Sequence, residues 1–514
     1  MTVRQTNPLA VLLIASVGCA MTVLDTNIVA IVLPTIARDL GASFADVEWV
    51  ISAYVLSFAS LLLPAGAIAD RFGRRTIFLL GIGIFAVTSL LCGLAPSARA
   101  LYVARALQGA GAALLLAPAL AIIGHTFHDE KERNKAWAIW GGIMGLTMVL
   151  APILGGLIGF HLGWRWAFYV NVPICILLAT SVALRVPESR DQKARRLDPA
   201  GIVFFSGAMF GLTSGLINGQ AHGWETWLST VGFVVGVVGF VLFIAVETIQ
   251  QRPMLDLSLF RLPRFVGAVL AMFAYAACAQ VMASLLPLYL QNGLGRPALE
   301  AGFAMLPFAM AMLVLPQIGR WLSRFMSSTQ VLVFGLAIVC LGNVTTGFGA
   351  LQGQLPLVIA GMILLGSGGG LLNGETQKAI MGSVPRDRAG MASGISTTSR
   401  FSGILLGFAV LSGVLATFAR QQLEMAANGS IGLRPSDAPR FADAVIAGDL
   451  PLATKLVAIE HQDGAALIAR QAYSAGFSTA LFVAAAMAAI AAVSVAVLMR
   501  NPRREPRVVE VHRQ

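Results

Sequence analysis

The chain has 514 residues, of which 57% are hydrophobic and only 12% are charged, with a net charge of +11. Soluble domains carry roughly 25% charged residues, and a soluble fold could not hide this much apolar surface. The composition therefore excludes a soluble enzyme, a disordered chain and a coiled coil. Lys and Arg lie in short clusters between apolar stretches, which indicates anchors at a membrane surface rather than a face that binds nucleic acid. The sequence predicts an integral membrane protein.

Fourteen apolar stretches follow one another along the chain, each long enough for the roughly 20 helical residues that cross a bilayer. Helices are expected because backbone polar groups in lipid must be satisfied within the segment. The predicted spans are 9–36, 47–69, 76–95, 101–124, 136–160, 165–184, 200–219, 227–247, 265–290, 301–319, 328–349, 355–382, 389–419 and 474–499. We therefore predict an all-α polytopic membrane protein with 14 transmembrane spans.

The spacing of the spans divides the chain into three predicted parts. They are an N-terminal six-helix bundle at 1–187, a basic linker with two additional helices at 188–250, and a C-terminal six-helix bundle at 251–514. Asp198 followed by Pro199 is typical of a capped helix start, so span seven is expected to begin there. The long loop 420–473 is interpreted as a small external cap, and the chain after span fourteen as a cytoplasmic tail.

Basic residues in the short loops predict the orientation of the chain. With the N-terminus placed inside, 24 of them fall on the inner side and 4 on the outer side. Because Lys and Arg are retained in cytoplasmic loops, both termini are expected to be cytoplasmic. The first apolar stretch is too long for a signal-peptide core and is interpreted as a retained span. The predicted location is the bacterial inner membrane, in contact with its lipids.

Three motifs of common enzyme classes are missing from the sequence. It contains no P-loop, no H-E-x-x-H and no G-x-S-x-G, so ATP hydrolysis, zinc proteolysis and serine hydrolysis are not expected. The 6 histidines lie at span ends or in loops, so no metal site is expected. We expect no enzyme activity and neither a metal nor an organic cofactor. Movement of solutes across the membrane is the activity that remains.

The loop between spans two and three carries a distinctive motif, G-A-I-A-D-R-F-G-R-R, at 66–75. It resembles the cytoplasmic signature G-x-L-A-D-R-x-G-R-R/K of the major facilitator superfamily. Glycines permit a tight turn there, and an aspartate can cap a helix and pair with an arginine. The resemblance implies a cytoplasmic gate motif formed by Gly66, Asp70, Arg71, Gly73 and Arg74.

Five further stretches are similar to one branch of that superfamily, the fourteen-span drug:proton antiporters of the QacA/EmrB type. They are L-D-T-N-I-V-A-I-V-L-P at 24–34, R-A-L-Q-G-A-G at 105–111, A-P-I-L-G-G at 151–156, W-R-W-A-F-Y-V-N-V-P at 164–173 and L-P-L-Y-L-Q at 286–291. The resemblance implies the major facilitator fold, two six-helix bundles with two extra helices, and an antiporter motif at Pro152, Gly155 and Gly156. In the second half the cytoplasmic motif has decayed, with Ser323 where an aspartate would stand.

Ionisable residues at membrane depth need a reason to exist, since a charge there costs about 2.5–3.5 kcal/mol. Asp25 lies about 16 Å from the outer end of its helix, and Arg105 on span four could reach it. Proton coupling is the predicted role of both, against the alternatives of a polar packing residue and a membrane-surface anchor. Glu375 is a further candidate, although its spacing from Lys378 fits a structural ion pair equally well.

A substrate cavity is expected between the two bundles near mid-membrane, where inverted-repeat transporters bind their substrates. Rings and methionine sulfur suit flat lipophilic cations, and core packing or lipid contact is the alternative for each residue. The candidate substrate-binding residues are Tyr54, Trp137, Trp140, Met272, Tyr275, Gln280, Met305 and Met310.

The predicted function, implied by the resemblance, is proton-coupled antiport that exports amphipathic or cationic toxic compounds. Its partners would be such small molecules, protons and membrane lipids, without nucleic acid, and the unit is expected to be a monomer. One alternative is a dedicated exporter of one metabolite or antibiotic. Another is a membrane receptor or scaffold that keeps the fold without transport, although a scaffold has no need of buried charges.

Overall fold

The computed structural model describes residues 7–127, 129–190, 198–250, 257–322, 324–384, 389–427, 433 and 437–500. Within these ranges the regular structure is helical and contains no strands. Fourteen helical segments are long and apolar enough to cross a membrane. The predicted all-α fold with 14 spans is therefore confirmed. The predicted tail 501–514, the linker residues 191–197 and Ser323 lie outside the described residues.

The first six spans form the N-terminal half. Its helices are α1 (Pro8–Leu40), α2 (Phe44–Phe72), α3 (Arg74–Gly93), α4 (Ala98–Thr126), α5 (Glu130–His161), α6 (Trp166–Tyr169) and α7 (Asn171–Arg185). α2 begins with a capping box, in which Ser43 and Asp46 satisfy each other's backbone amides. Close packing of α3 on α4 depends on Gly81, where an added Cβ would lie 2.5 Å from the backbone carbon of Leu114.

The two additional helices are α8 (Pro199–His222) and α9 (Trp227–Ile249). α8 begins where the sequence predicted, since the Asp198 carboxylate accepts a hydrogen bond from the amide of Gly201 (2.9 Å). Facing glycines bring the two helices together: a Cβ on Gly211 would lie 2.4 Å from the amide nitrogen of Gly236. α8 packs against α2 and against a helix of the second half as well.

The second half repeats the six-span pattern with more interruptions. Up to Ala427 its helices are α10 (Pro263–Tyr275), α11 (Met282–Asn292), α12 (Ala298–Ala304), α13 (Leu306–Leu322), α14 (Ser328–Gln352), α15 (Leu355–Gly382) and α16 (Ala389–Ala427). A π-helical segment, Ala276–Gln280, joins α10 to α11 within one span. Such segments are frequent at functional sites.

The predicted external loop 420–473 is largely helical, which corrects the predicted end of span thirteen and start of span fourteen. α16 continues to Ala427, two short helices α17 (Ala438–Ala447) and α18 (Leu450–Lys455) follow, and α19 (Gln462–Leu498) begins before residue 474. α19 is about 55 Å long at 1.5 Å per residue, well beyond a bilayer core of about 30 Å. Its small residues Ala465 and Ala469 are buried against α17 and α18 in a separate apolar cluster. Burial in this cluster, rather than contact with lipid, stabilises the turns of α19 that extend beyond the bilayer core.

We call α17 and α18 the cap, the end of the bundle that carries it the cap side, and the opposite end the terminal side. The two halves approach each other closely on the cap side. The side-chain amide of Gln291 on α11 donates from Nε2 to the backbone carbonyl of Ile31 on α1 (2.8 Å). A Cβ on Gly156 of α5 would lie 2.9 Å from the carbonyl oxygen of Ala298 on α12. The structure is therefore a conformation in which the halves are closed on the cap side.

Candidate functional site

A buried polar network lies inside the N-terminal half, centred on Asp25 of α1. Its carboxylate accepts hydrogen bonds from Arg105 Nη1 at 2.5 Å, Gln108 Nε2 at 3.0 Å and Asn171 Nδ2 at 2.9 Å. Asp25, Gln108 and Asn171 are fully buried and Arg105 is 1% exposed. The structure thus brings together the two residues predicted for proton coupling, and donors from two other helices, α4 and α7, meet the carboxylate of Asp25 on α1.

Arg105 is held by several groups besides Asp25. Its Nε donates to the carbonyl of Val50 (3.2 Å), and Nη1 also donates to Gln108 Oε1 (2.7 Å). The guanidinium carbon lies 4.1 Å from the centre of the Tyr54 ring. A buried ion pair is stable only when its remaining hydrogen-bonding groups are satisfied, and these contacts satisfy most of the guanidinium donors. The pair is therefore a defined structural state rather than an accidental contact.

Helix packing explains why these side chains meet. Arg105 and Gln108 lie three residues apart and so project from the same face of α4. At the next residue, a Cβ on Gly109 would lie 2.3 Å from the carbonyl oxygen of Tyr54. Because only glycine permits this approach, α4 lies against α2 at the level where Arg105 reaches Val50.

Sequence reasoning missed two members of the network, Gln108 and Asn171. Asn171 Nδ2 also donates to Ser89 Oγ (3.0 Å), and Ser89 in turn donates to the carbonyl of Phe168 (2.9 Å). Both missed residues stand in motifs that were recognised, but only charged residues were selected from them. Uncharged amides at membrane depth, which also need partners, would have indicated them.

Glu375 lies apart from this network, on α15 near the terminal side. It is 7% exposed, and Lys378 Nζ lies 3.1 Å from its Oε1. Ser328, at the start of α14, also donates to this carboxylate. A crevice of about 820 Å³ opens beside Lys378 and Ser328. The geometry is that of the local ion pair weighed as the alternative for Glu375, and its coupling role stays a prediction.

Aromatic side chains run from the Asp25 network to the second half. Tyr54 is buried beneath Arg105 and stacks on Phe58, with ring centres 6.0 Å apart. Phe58 meets Phe401 of α16 edge to face, with ring centres 4.5 Å apart. Next to Phe401, Arg400 Nε donates to Gln280 Oε1 (2.8 Å). We call Tyr54, Phe58 and Phe401 the aromatic bridge.

The remaining substrate candidates are distributed over the second half and α5. Tyr275 is fully buried, and its ring centre lies 6.0 Å from the guanidinium carbon of Arg400. Met272 and Met305 are each 2% exposed, whereas Met310 is 45% exposed. On α5, the rings of Trp137 and Trp140 meet edge to face 5.6 Å apart. Gln280 and Tyr275 are thus brought together around Arg400, and Met310 is left on an exposed face of α13.

The predicted gate motif forms the turn between α2 and α3 on the terminal side. Asp70 Oδ1 lies 2.9 Å from Arg74 Nε, so the aspartate pairs within its own bundle in this conformation. Arg71 is exposed, and Gly66 is half-buried in the last turns of α2. Gly73 has a φ of 115°, and an added Cβ would lie 2.7 Å from the Glu188 carboxyl carbon. Only glycine fits both the backbone conformation and the space.

Glu188, which the sequence analysis did not select, binds the first turn of α3. Its carboxylate accepts from the amides of Arg75 (3.0 Å) and Thr76 (3.1 Å) and from the Thr76 hydroxyl (2.6 Å). Burial opposes ionisation, but these hydrogen bonds outweigh it and hold the pKa of Glu188 below its usual range. The segment after α7 is thereby fastened to the gate turn.

We expect Glu188→Gln to lower the melting temperature at neutral pH. The melting temperature of this variant should then fall less than that of wild type when the pH is lowered. A carboxylate with a lowered pKa stabilises the fold above its unfolded pKa of about 4.3, and this contribution is lost as the pH falls through the folded value. Losing such a helix cap costs about 1 kcal/mol. Melting curves of the purified protein from pH 7 to pH 3.5 test this, with Thr76→Val as the partial variant. Parallel curves for wild type and Glu188→Gln would contradict it.

The predicted antiporter motif lies where α5 meets both α1 and α12. A Cβ on Gly155 would lie 3.1 Å from the Ile31 Cβ and 3.2 Å from the Ile28 Cα. Pro152 is buried, and its carbonyl oxygen would lie 2.4 Å from a Cβ on Gly302. Gly156 contacts α12, as described above. Small residues here permit backbone contact within the first half and across to the second.

Known proteins resemble this chain over nearly its whole length. The family model of the Major Facilitator Superfamily matches residues 15–408. The multidrug resistance protein Stp of Mycobacterium tuberculosis is 34% identical over 490 residues, which are 94% of this chain and 90% of that protein. The tetracenomycin C resistance and export protein of Streptomyces glaucescens is 34% identical over 512 residues, which are 98% of this chain and 94% of that protein.

Solved structures of transporters share the fold. A peptide transporter POT in complex with sulfate has a TM-score of 0.64 at 14% identity, covering 96% of both chains. A bacterial homolog of the human lysosomal transporter Spinster, in an inward-facing and occupied conformation, has a TM-score of 0.64 at 18% identity, covering 95% of this chain and 96% of that one. With the family model matching most of its length, this chain belongs to the Major Facilitator Superfamily, a family of membrane transporters and not of enzymes.

Proposed function

We propose that this chain is a proton-coupled antiporter that exports amphipathic or cationic toxic compounds. Relatives similar over nearly the whole chain are named for multidrug resistance, for efflux and for antibiotic export. These names favour export of small toxic molecules. We infer proton coupling separately, from the fully buried carboxylate of Asp25, which pairs with Arg105.

The pairing supplies a physical reason for coupling. Protonation of Asp25 would leave Arg105 as a buried cation without its counter-ion. Breaking one side of a buried ion pair costs about 3–5 kcal/mol, more than the small free-energy differences that separate conformations of a transporter. A proton can therefore bind to Asp25 stably only if the surroundings rearrange, for example by admitting water to solvate Arg105. Proton binding and conformational change are linked in this way.

The aromatic bridge favours flat, positively charged substrates. Tyr54, Phe58 and Phe401 connect the Asp25 network to Arg400 across the space between the halves. Ring faces attract cations and stack on planar molecules, with about 0.5–2 kcal/mol for each cation–π contact. A substrate that inserts between Phe58 and Phe401 would separate the halves at mid-membrane while contacting both. This would couple substrate binding to the same rearrangement.

Reconstitution into proteoliposomes with an imposed pH gradient tests the proposal. We expect a fluorescent lipophilic cation to accumulate against its concentration gradient when only the pH difference is supplied, and to stop when a protonophore is added. Absence of flux with a broad panel of compounds would favour the receptor or scaffold alternative. Flux restricted to one compound in that panel would favour a dedicated exporter of a metabolite or antibiotic.

The same proposal includes the location and assembly predicted from the sequence. The chain would act as a monomer in the bacterial inner membrane, with both termini in the cytoplasm and the cap outside. The excess of basic residues in loops on the terminal side supports this orientation. In that orientation, closure on the cap side leaves the carrier ready to receive substrate from the cytoplasm.

A further inference from the structure

Glu48 is a buried carboxyl group that takes no part in the Asp25 network. It lies one turn into α2 on the cap side and is 1% exposed. Its Oε1 is hydrogen-bonded to the hydroxyl of Ser412 on α16, a residue 364 positions away in the chain. The contact therefore joins the two halves at the side where they are closed.

Apolar contacts enclose this pair along the α2–α16 interface. One turn toward the cap, Phe44 packs against Ala416 and Ala419 of α16 and against Ile446 of the cap. Toward mid-membrane the interface continues to the Phe58–Phe401 contact. Beside Glu48, the Trp49 ring lies 5.7 Å from that of Phe210 on α8. An ionised carboxylate in such surroundings has lost its hydration, which is strongly unfavourable unless a charge replaces the water.

Charged side chains on the helices around α2 are bound to other partners. On α2 itself Asp46 accepts from Ser43, and on α4 Arg105 binds Asp25. On α16 and α17, Arg420 binds Asp443. At the end of α1, Arg38 bonds to the carbonyl of Pro34, and Asp39 accepts from Trp164 and Arg165.

The other titratable groups on these helices do not neutralise Glu48 either. The ring of Tyr102 on α4 lies 6.2 Å from that of Trp49. The side chains of Arg99, Glu424 and Arg440 are exposed. α8 contains no Asp, Glu, Lys or Arg. Among the described side chains, no ion pair reaches Glu48, so nothing in its surroundings compensates a negative charge.

The hydrogen bonds of Ser412 indicate which protonation state fits this geometry. Ser412 Oγ lies 2.6 Å from the carbonyl oxygen of Phe408, which can only accept. A hydroxyl has one proton to donate. If Ser412 gives it to Phe408, its own oxygen must accept from Glu48, and Glu48 can donate only as a carboxylic acid.

The second oxygen of Glu48 agrees with this assignment. Glu48 Oε2 is buried and has no hydrogen-bond partner. A neutral carbonyl oxygen can be left in this position at a modest cost, whereas an oxygen that shares a full negative charge cannot. The protonated acid thus completes a chain of donors from Glu48 through Ser412 to Phe408, and the carboxylate breaks it.

We propose that Glu48 is a proton-binding site that controls closure on the cap side: its protonated form holds α2 to α16 through Ser412, and its ionisation releases them. The consequence for transport rests on the proposed function. Protons on the cap side would bind Glu48 in the open carrier and favour closure after substrate has left. Glu48 would in this way act on the return step, without carrying the proton that Asp25 exchanges.

Distances between spin labels on the two halves test the proposal directly. Leu94, after α3, and Leu351, on α14, are exposed cap-side positions in different halves, at 60% and 56%. Both are changed to Cys in a background without the five native cysteines, and distances are measured in nanodiscs as a function of pH without substrate or gradient. As Glu48 ionises, the ratio of closed to open molecules should fall by up to about tenfold per pH unit, the limit for linkage to one proton.

Three variants and a control separate Glu48 from other titrating groups. Glu48→Gln is always neutral and can donate to Ser412, so it should stay closed at every pH. Ser412→Ala should lose closed molecules several-fold at low pH, and Ser412→Thr should restore them. Glu424→Gln makes the same chemical change in an exposed side chain of α16 and should titrate like wild type.

The outcomes separate this inference from the proposed function. A wild-type distance that does not change with pH, or a Glu48→Gln protein that still titrates like wild type, overturns the role of Glu48. If pH-driven accumulation is nevertheless observed, the proposed function stands without it. Conversely, a titrating distance in a protein that shows no flux under a pH gradient supports Glu48 and removes the proposed function.

Discussion

Replacing Asp25 by Asn is expected to abolish uphill transport driven by a pH gradient while leaving downhill exchange in place. Asn has nearly the shape of Asp and keeps an acceptor for Arg105, but it cannot bind and release a proton. One proton moved through about 100 mV supplies roughly 2.3 kcal/mol, enough for about fifty-fold accumulation. We expect this ratio to fall to one in Asp25→Asn proteoliposomes, measured with the same fluorescent cation as wild type.

The variant also leaves Arg105 without a counter-ion, so its folding must be checked separately. Removing one partner of a buried pair costs about 3–5 kcal/mol, which would lower the melting temperature. The double variant Asp25→Asn with Arg105→Gln removes the unpaired charge and should recover stability without recovering uphill transport. This separates a lost proton site from a damaged fold.

Glu300→Gln is the matched control for the change of charge. Glu300 is 55% exposed and pairs with an Arg296 that is 49% exposed, so the pair contributes at most about 1 kcal/mol. Its loss should leave accumulation unchanged. If Asp25→Asn still accumulates the cation when only a pH difference is supplied, the coupling site lies elsewhere, and Glu375 becomes the next residue to change.

Replacing Gly155 by Leu is expected to suppress transport without unfolding the protein. The contacts of Gly155 with Ile28 and Ile31 leave too little room for a Leu side chain, since even an added Cβ would lie 3.1 Å from the Ile31 Cβ, and Ile28 lies one turn from Asp25 on α1. Overpacking costs about 1–3 kcal/mol; to the extent that this strain acts on the cap-side closed conformation and not on the open one, the population of the closed conformation falls by up to about 5- to 140-fold. Transport rates should fall within this range, measured together with melting temperature and gel-filtration profile. Gly155→Ala should fall between wild type and Gly155→Leu.

Gly83→Leu provides the matched control for added bulk in a span. Gly83 lies on the exposed face of α3 with Leu80 and Val87, and nothing lies within 4 Å of an added Cβ. The same substitution should therefore be silent there. Wild-type transport in Gly155→Leu would show that the close contact of α5 with α1 is not required.

Patterns local in sequence were sufficient for the spans and for the first members of the site. Spans are visible because lipid requires about 20 apolar residues in a row, and Asp25 and Arg105 stand out because a charge in such a stretch is costly. The start of α8 at Asp198 could also be predicted from the local sequence, since the N-terminal capping of a helix depends on a few neighbouring residues. None of these features required knowledge of which helices touch.

Glu48 shows what a sequence pattern cannot determine. An acidic residue near the start of a helix usually lies in solvent, where it compensates the helix dipole, and nothing in the sequence around Glu48 suggests otherwise. Its burial depends on α16 and the cap, which only the tertiary arrangement brings to it. The helical nature of 438–455 likewise depends on burial against α16 and α19, because helices this short are not stable alone.

The sequence by itself determined the number of spans and two charges that had to meet a partner within the membrane. The tertiary structure alone decided which side chains from other helices meet the buried carboxyl groups: Gln108 and Asn171 around Asp25, Ser328 beside Glu375, and Ser412 against Glu48. The physical reason is that hydrophobicity is a property of consecutive residues. Satisfaction of a buried polar group depends on side chains that packing brings from other helices, up to 364 residues away.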